Sequence, residues 1–430
     1  MATTHAAALC LLAAAPFLAS QDEGEELTVE KLEEVRDEVV ADVEDLRGGS
    51  FEHPVDVFVT NKEAFIEYAI KRTEEMQPED QREADQEVAK LLGLIPVDMD
   101  LLATMFEFLE SQVGGFYDPA EEAFYVVDTF SEPGILRVIL VHELTHALDD
   151  QMFGIDTILE PLLKTNTDAA VAFHAVVEGS GTTVMNQWIM PRLMKGEISA
   201  AELAKAGADG DFTGMPEYIW LPLMHSYLQG AAFLARTDSV MAGAMAKPSA
   251  ADIDRAFESP PRSTEQVLHP EKYWDEDSLD EPHSIELDAS ALAEGWNLLR
   301  EDTLGEVNMG LFTRAPSDRQ EFSALPTFTT DAAAGWGGDR FALLGNEDAR
   351  ILHIVTTWDS ETDTDEFVEA LEGVSGHVNS GAQKLGEGEG AFEWVRSEDS
   401  DEVRITVRAG VSAEDAKRVV ASMKFGVSRE

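Results

Sequence analysis

His142, Glu143 and His146 stand in the order H-E-x-x-H, within His142-Glu143-Leu144-Thr145-His146. On a helix, residues four apart share a face, so both imidazoles can reach one metal ion. The carboxylate beside the first imidazole can then take a proton from a water held by that ion. Two histidines on an apolar face can also be satisfied core residues. The spacing, with Glu143 between them, favours a zinc site.

A catalytic zinc needs three protein ligands and one open position. The longer motif that supplies a third His downstream is absent, because Asp149 stands in place of its Gly and Met152 in place of its His. Glu178 is the best candidate for the third ligand. It shares a stripe with Val171, His174 and Ala175 in an apolar helix expected over about 168–194. A carboxylate buried on such a stripe is costly unless it is paired or bound to metal. His174, one turn earlier, is a rival ligand or a partner of Glu178. Asp149 and Asp150 either orient the imidazoles or form a solvated helix end.

The elements that must position these groups are legible in outline. Ile135, Ile139, His142 and His146 lie on one helical stripe within 135–151, with Ser131 as a candidate N-cap and Pro133 in the first turn. Gly179 and Gly181 would let two helices approach closely. Upstream, Phe116-Tyr117-Asp118-Pro119 and AFYVVD at 123–128 form a hairpin. AFYVVD is the candidate edge strand above a cleft, where an extended peptide could add; an internal strand is the alternative.

Residues 142–151 (HELTHALDDQ), followed by AVVEG at 175–179, resemble the gluzincin metallopeptidases. These are thermolysin-like zincins whose third ligand is a Glu on a following helix. GFYDP at 115–119, PRSTEQVLHPEKY at 261–273 and GWGGDR at 335–340 look like a poorly characterised bacterial zincin family of that type. The resemblance spans most of the chain but is patchy between motifs. It implies His142, His146 and Glu178 as Zn2+ ligands and Glu143 as general base toward a zinc-bound water. It also implies a Tyr or His across the cleft that stabilises the oxyanion. Among His225, Tyr227, His269 and Tyr273 the candidates are His269 and Tyr227. The expected activity is peptide-bond hydrolysis on a peptide or protein substrate. One departure stands out: thermolysin-like enzymes carry an Asp four residues after the ligand Glu, and here that position is Thr182. Asp150 or His174 would have to substitute. Two other readings remain open: a zinc-stabilised binding protein without turnover, and a zinc hydrolase of non-peptide amides such as cell-wall cross-links.

The 430 residues suffice for one large or two ordinary domains, and 44% hydrophobic residues support a packed core. With 84 acidic against 31 basic residues the formal net charge is -53. That repels phosphate, so nucleic acid and anionic membrane surfaces are excluded as expected partners. The acidic residues are dispersed, as in a protein kept soluble in a salty medium. Residues 6–19 form an uncharged apolar run before an acidic stretch, which reads as a signal peptide cleaved near Ser20. The expected location is secreted or periplasmic, with an uncleaved anchor as the alternative. The only cysteine, Cys10, falls in that run, so the mature chain needs no disulfide.

The expected fold is α+β. A mainly helical zincin-like catalytic domain with a small edge sheet covers 21–280. A smaller C-terminal α+β domain with an antiparallel sheet covers 285–430. Its pattern is strand-strand-helix, repeated, with strands near 341–345, 351–358, 392–396 and 403–407. Helices are expected at about 364–373 and after Ser412.

Overall fold

The computed structural model describes residues 27–112, 114–127, 133–201, 203, 214–323, 325–398 and 400–428. The apolar run at 6–19 and the cap expected at Ser131 lie outside the described residues. Among the described residues, no helix is long and apolar enough to cross a membrane.

Two long helices carry the motif residues. Helix α5 (Pro133–Phe153) and helix α7 (Thr167–Lys195) are packed against each other. Around α5, Leu136, Val138, Ile139, Val141, Leu144 and Leu148 are all buried. A helix apolar on every side belongs in an interior, and α5 sits between α1 (Val29–Arg47), α7 and a sheet. Helix α7 goes further, being buried without interruption from Thr167 to Val184. The Asn166 side chain caps it by accepting from Ala169 N at 3.1 Å, and Gly196, at φ 73°, ends it in the left-handed region.

The small sheet has three strands: β1 (Asp56–Thr60), β2 (Gly115–Asp118) and β3 (Ala123–Val127). Their order is β1-β3-β2. This corrects the expected edge strand. The AFYVV segment is central because β1 pairs with it in parallel along its length, from Asp56 opposite Ala123 to Thr60 opposite Val127. The edges are β1 and β2, the latter antiparallel to β3 on its other side. The missing signal was the long-range partner, since a strand's place in a sheet is not a local property. Alternation divides the two faces. Val57, Tyr117 and Phe124 pack toward α5, whereas Phe58, Tyr125 and Phe116 stack in a row on the opposite face, with centroids 5.3 and 5.1 Å apart.

Helices α2 (Lys62–Met76), α3 (Glu79–Leu91), α4 (Leu101–Gln112) and α6 (Ile155–Thr165) fill out the first half. Asn61 caps α2 as expected, accepting from Ala64 N at 2.9 Å. Beyond α7 come α8 (Glu217–Met224), a π-helix over His225–Gln229, and α9 (Gly230–Leu234). The short helices α10 (Val240–Met245), α11 (Ala250–Glu258), α12 (Thr264–Leu268) and α13 (Glu271–Trp274) then lead to the C-terminal part.

That part is built on an antiparallel sheet in the order β5-β6-β7-β9-β8. The strands are β5 (Asn297–Asp302), β6 (Trp336–Gly345), β7 (Arg350–Trp358), β8 (Gly390–Arg396) and β9 (Glu402–Ala409). Helix α14 (Gly305–Thr313) joins β5 to the segment before β6. Helix α15 (Glu361–Leu385) runs well beyond the expected 364–373. Gly373 and Gly376 lie where a side chain would meet open space, so they do not mark breaks. The apolar spacing of Phe367, Leu371, Val374, Val378 and Ala382 keeps the helix on the sheet. Ser412 caps α16 (Ala413–Val420), accepting from Asp415 N at 3.1 Å. Strands β4 (Ser284–Asp288) and β10 (Lys424–Ser428) pair with each other.

The architecture changes near 280–285, but the core does not. One hydrophobic cluster includes Phe65 and Phe173 from the first part and Leu343, Ile354 and Val407 from the second. The Arg300–Asp85 pair at 2.9 Å and the Arg314–Glu217 pair are buried and also cross the boundary. The expected division into 21–280 and 285–430 therefore separates two architectures that share one interior.

Helix α7 meets α9 through Gly179 and Gly230. A Cβ on Gly179 would lie 2.4 Å from the carbonyl carbon of Gly230, and one on Gly230 would lie 2.0 Å from the Ala175 oxygen. Both obstacles are backbone, which cannot rotate aside. Gly230→Ala should cost about 1–3 kcal/mol, the usual range for overpacking. Urea unfolding followed by circular dichroism measures it, and an unchanged midpoint would contradict this packing.

Candidate metal centre

Three side-chain atoms converge where α5 crosses α7. His146 Nε2 lies 2.9 Å from His142 Nε2, His142 Nε2 lies 3.1 Å from Glu178 Oε2, and His146 Nε2 lies 3.6 Å from the same oxygen. Ligands about 2.0–2.2 Å from a tetrahedral metal stand about 3.3–3.6 Å apart. The observed triangle, with edges of 2.9, 3.1 and 3.6 Å, is near that size and tighter on two sides. It also gathers two nitrogens and one carboxylate oxygen, a donor set suited to zinc.

The backbone makes room for this triangle. A Cβ on Gly181 would lie 2.8 Å from His142 Cε1 and 2.9 Å from His146 Cε1. Thus the two glycines foreseen for close approach have separate partners: Gly181 faces the imidazoles and Gly179 faces α9. The centre is closed, with His142, Glu143 and Glu178 at 0% exposure and His146 at 1%.

Charge balance agrees with metal binding. Burial alone would raise the Glu178 carboxyl, but His146, His142 and His174 around it hold it well below the usual carboxylate range. Burial, followed by the neighbouring His146, lowers the pKa of His142.

Glu143 is held by the edge strand. Tyr117 N donates to Glu143 Oε2 at 3.0 Å, so the outer edge of β2 faces the centre. His174 resolves as a partner of Glu178, with its Nε2 3.4 Å from Glu178 Oε1, the oxygen turned away from the other two imidazoles. Asp149 and Asp150 divide the roles left open for them. Asp149 is fully buried and pairs with Arg47 Nε at 2.5 Å, so it is not a solvated helix end. Arg47 also reaches Asp254 at 2.8 Å, tying α1, α5 and α11 together behind the site. Asp150 accepts from the Tyr117 hydroxyl at 3.0 Å and from Ile155 N at 2.8 Å. It fastens β2 and starts α6, and burial pushes its carboxyl up to about 6.

Of the two residues expected across the cleft, the structure brings one to the centre. Tyr227 stacks on His142 with centroids 5.7 Å apart and an interplanar angle of 17°. Its hydroxyl hydrogen-bonds to Glu178. Burial, then the charges of Glu178 and Glu143, push its pKa well above the ordinary value. The π-helix that presents it, His225–Gln229, continues directly from α8 into α9. His269 goes elsewhere: its Nε2 meets Glu306 Oε1 at 3.0 Å, and Thr329 donates to the same oxygen. Glu306 lies in the C-terminal part, so no pattern local to His269 could have revealed this partner. His225 is fully buried against Phe328 in an edge-to-face contact, and Tyr273 donates to Ser259 O at 2.6 Å. The sequence reading placed Tyr117 in the hairpin but missed its role at the site, because its contact with Glu143 is through a backbone amide, which carries no side-chain signal.

Residues 287–423 match a family model described as a domain of unknown function (DUF8575). The match covers the C-terminal sheet and its helices and none of the converging residues. No curated protein and no solved structure matches the chain.

Gly181→Ala should move both imidazoles and weaken zinc binding by roughly 10–100-fold, the range seen when a ligand's support is removed. Competition with a chelating dye reads the affinity, and circular dichroism checks the fold. Unaltered affinity in a folded variant would show that Gly181 does not set the ring positions.

Proposed function

We propose that the chain is a secreted zinc metallopeptidase. The observation that carries this reading is the convergence of His142, His146 and Glu178 beside a Glu143 held by the edge-strand amide. His142 and His146, through Nε2, and Glu178, through Oε2, would hold the metal. When bound there, zinc supplies Lewis acidity, which polarises a carbonyl and acidifies water. Glu143 takes the proton of the attacking water and returns it to the leaving amine. Tyr227, stacked on His142 and bonded to Glu178, is the hydroxyl that would turn to donate to the oxyanion. The outward edge of β2, next to Glu143, offers backbone groups that an extended peptide could pair with. The apolar run at 6–19, read as a signal peptide, supports export.

The burial of the centre favours one other reading, a zinc-held binding protein without turnover. A structural zinc is kept from solvent, as this buried centre is. Glu143 weighs against that reading, because a structural site has no use for a buried base.

The experiment uses the chain from Gln21 onward, with zinc content and casein hydrolysis measured beside Glu143→Gln. One zinc per chain in both proteins, with hydrolysis only in the unchanged one, is the expected result. Zinc without hydrolysis in either protein would favour the binding role. Full activity in Glu143→Gln would remove Glu143 from the mechanism, and absence of zinc would overturn the ligand set.

A further inference from the structure

A cavity of about 470 Å³ lies between the two architectures. Its volume falls within the roughly 300–1,000 Å³ of small-ligand sites, and such sites favour boundaries of this kind. Two segments singled out in the sequence without any assigned chemistry meet there: Pro261 and Arg262 begin one, and Trp336, Asp339 and Arg340 belong to the other. Ile158 and Leu162 of α6 form an apolar wall facing them.

The charge of the lining is unusual for this chain. Overall, 84 acidic residues face 31 basic ones. Around the cavity stand Arg262, Arg340 and His283, with Asp339 as the one carboxylate. Asp339 is committed to the fold, accepting from Gly305 N at 2.9 Å, Leu304 N at 2.9 Å and Trp336 Nε1 at 3.0 Å. The arginines keep capacity. Arg262 donates to Glu281 at 3.1 Å, and Arg340 donates to Thr165 O at 3.1 Å and pairs with Glu301 at 3.2 Å. A guanidinium has five N–H donors. His283 is fixed in place, its Nδ1 2.9 Å from Thr357 Oγ1 and its backbone amide donating to Gly337 O at 2.7 Å.

We infer that this cavity binds a small organic carboxylate, with the apolar body against Ile158, Leu162 and Trp336 and the carboxylate on Arg262 and Arg340. An apolar wall facing two guanidinium groups suits an amphipathic anion better than a neutral apolar molecule, because only the anion can accept from the N–H donors that Arg262 and Arg340 keep beyond their contacts with Glu281 and Glu301. The inference is independent of the metal centre and survives if the peptidase reading fails. The same chemistry could come from a free fatty acid or from the C-terminus of a peptide ending in apolar residues.

Isothermal titration of the chain from Gln21 onward with octanoate, and separately with N-acetyl-Leu-Leu, tests the site and distinguishes the two sources. Binding of at least one probe on the order of 0.1 mM is expected. The tighter of the two identifies the source. Octanamide or the amidated dipeptide should bind roughly tenfold more weakly than its acid. Arg262→Gln alters a largely exposed side chain and should keep the fold, with affinity for the acid reduced about tenfold. Arg340→Gln should act likewise, and if it fails to fold, Arg262→Gln decides alone. No binding of either acid up to about 10 mM, amides that match the acids, or an Arg262→Gln variant of unchanged affinity would each overturn the proposal.

Discussion

Glu178 carries an ionised carboxylate into the centre of a helix that is buried on every side, and much of the surrounding structure answers to that charge. A lone carboxylate in such a place would cost several kcal/mol or take up a proton. Three imidazoles surround it, two on Oε2 and one on Oε1, and a tyrosine hydroxyl donates to it. Bringing α5, α7 and the π-helix close enough for these contacts requires two positions on α7 with no side chain. Gly181 serves one side and Gly179 the other. The dense packing of the helical half and the chemistry of its centre are thus one requirement.

The same logic extends outward from the ligands. Asp149 is a second buried carboxylate on α5, and Arg47 neutralises it while holding Asp254. Arg47 lies beside the stacked rings of Phe153 and Phe257, 5.7 and 5.8 Å from their centroids, so its charge is also shielded from water. Removing one member of such a pair leaves the other buried and uncompensated, which costs more than the pair contributes. Asp150 and Tyr117 form a third connection, between the end of α5 and the strand whose amide holds Glu143. The base is therefore positioned from both its own helix and the neighbouring sheet.

How far the sequence revealed this depends on the range of each interaction. The helical spacing of His142 and His146, the buried stripe ending at Glu178 and the caps at Asn61 and Ser412 are local, and all appear where the pattern put them. So does the partnership of His174 with Glu178, which are four residues apart. What failed was non-local. The order β1-β3-β2 depends on a strand more than sixty residues upstream of its partner. His269 is held by Glu306, thirty-seven residues away in sequence. Strand β5 was overlooked because Asn297–Asp302 is half charged and carries no two-residue alternation; its place comes from antiparallel pairing with β6 and the Arg300–Asp85 contact. Helix α15 runs on past the expected end at 373 because Gly373 is neither crowded nor left-handed and the apolar spacing continues through Ala382.

The acidic composition changes meaning once the cations are located. Arg47, Arg300 and Arg314 are nearly inaccessible and spend their charge on buried carboxylates. Lys272 is similarly committed, its Nζ between Glu265, Asp280 and Asp359 at 2.7, 2.8 and 2.6 Å. Buried carboxylates such as Asp85, Asp149, Glu178 and Glu217 outnumber these buried cations, so the surface keeps about the same acidic excess as the sequence. Repulsion across such a surface opposes the compact state unless salt screens it, with a screening length of about 10 Å at 0.1 M falling to about 3 Å at 1 M. The interior pairs are screened far less by salt. As ionic strength rises, the surface penalty fades while the contacts around Arg47, Arg300 and Lys272 largely persist. Stability that increases with salt then follows from the acidic excess on the surface together with ion pairs that the interior keeps from screening.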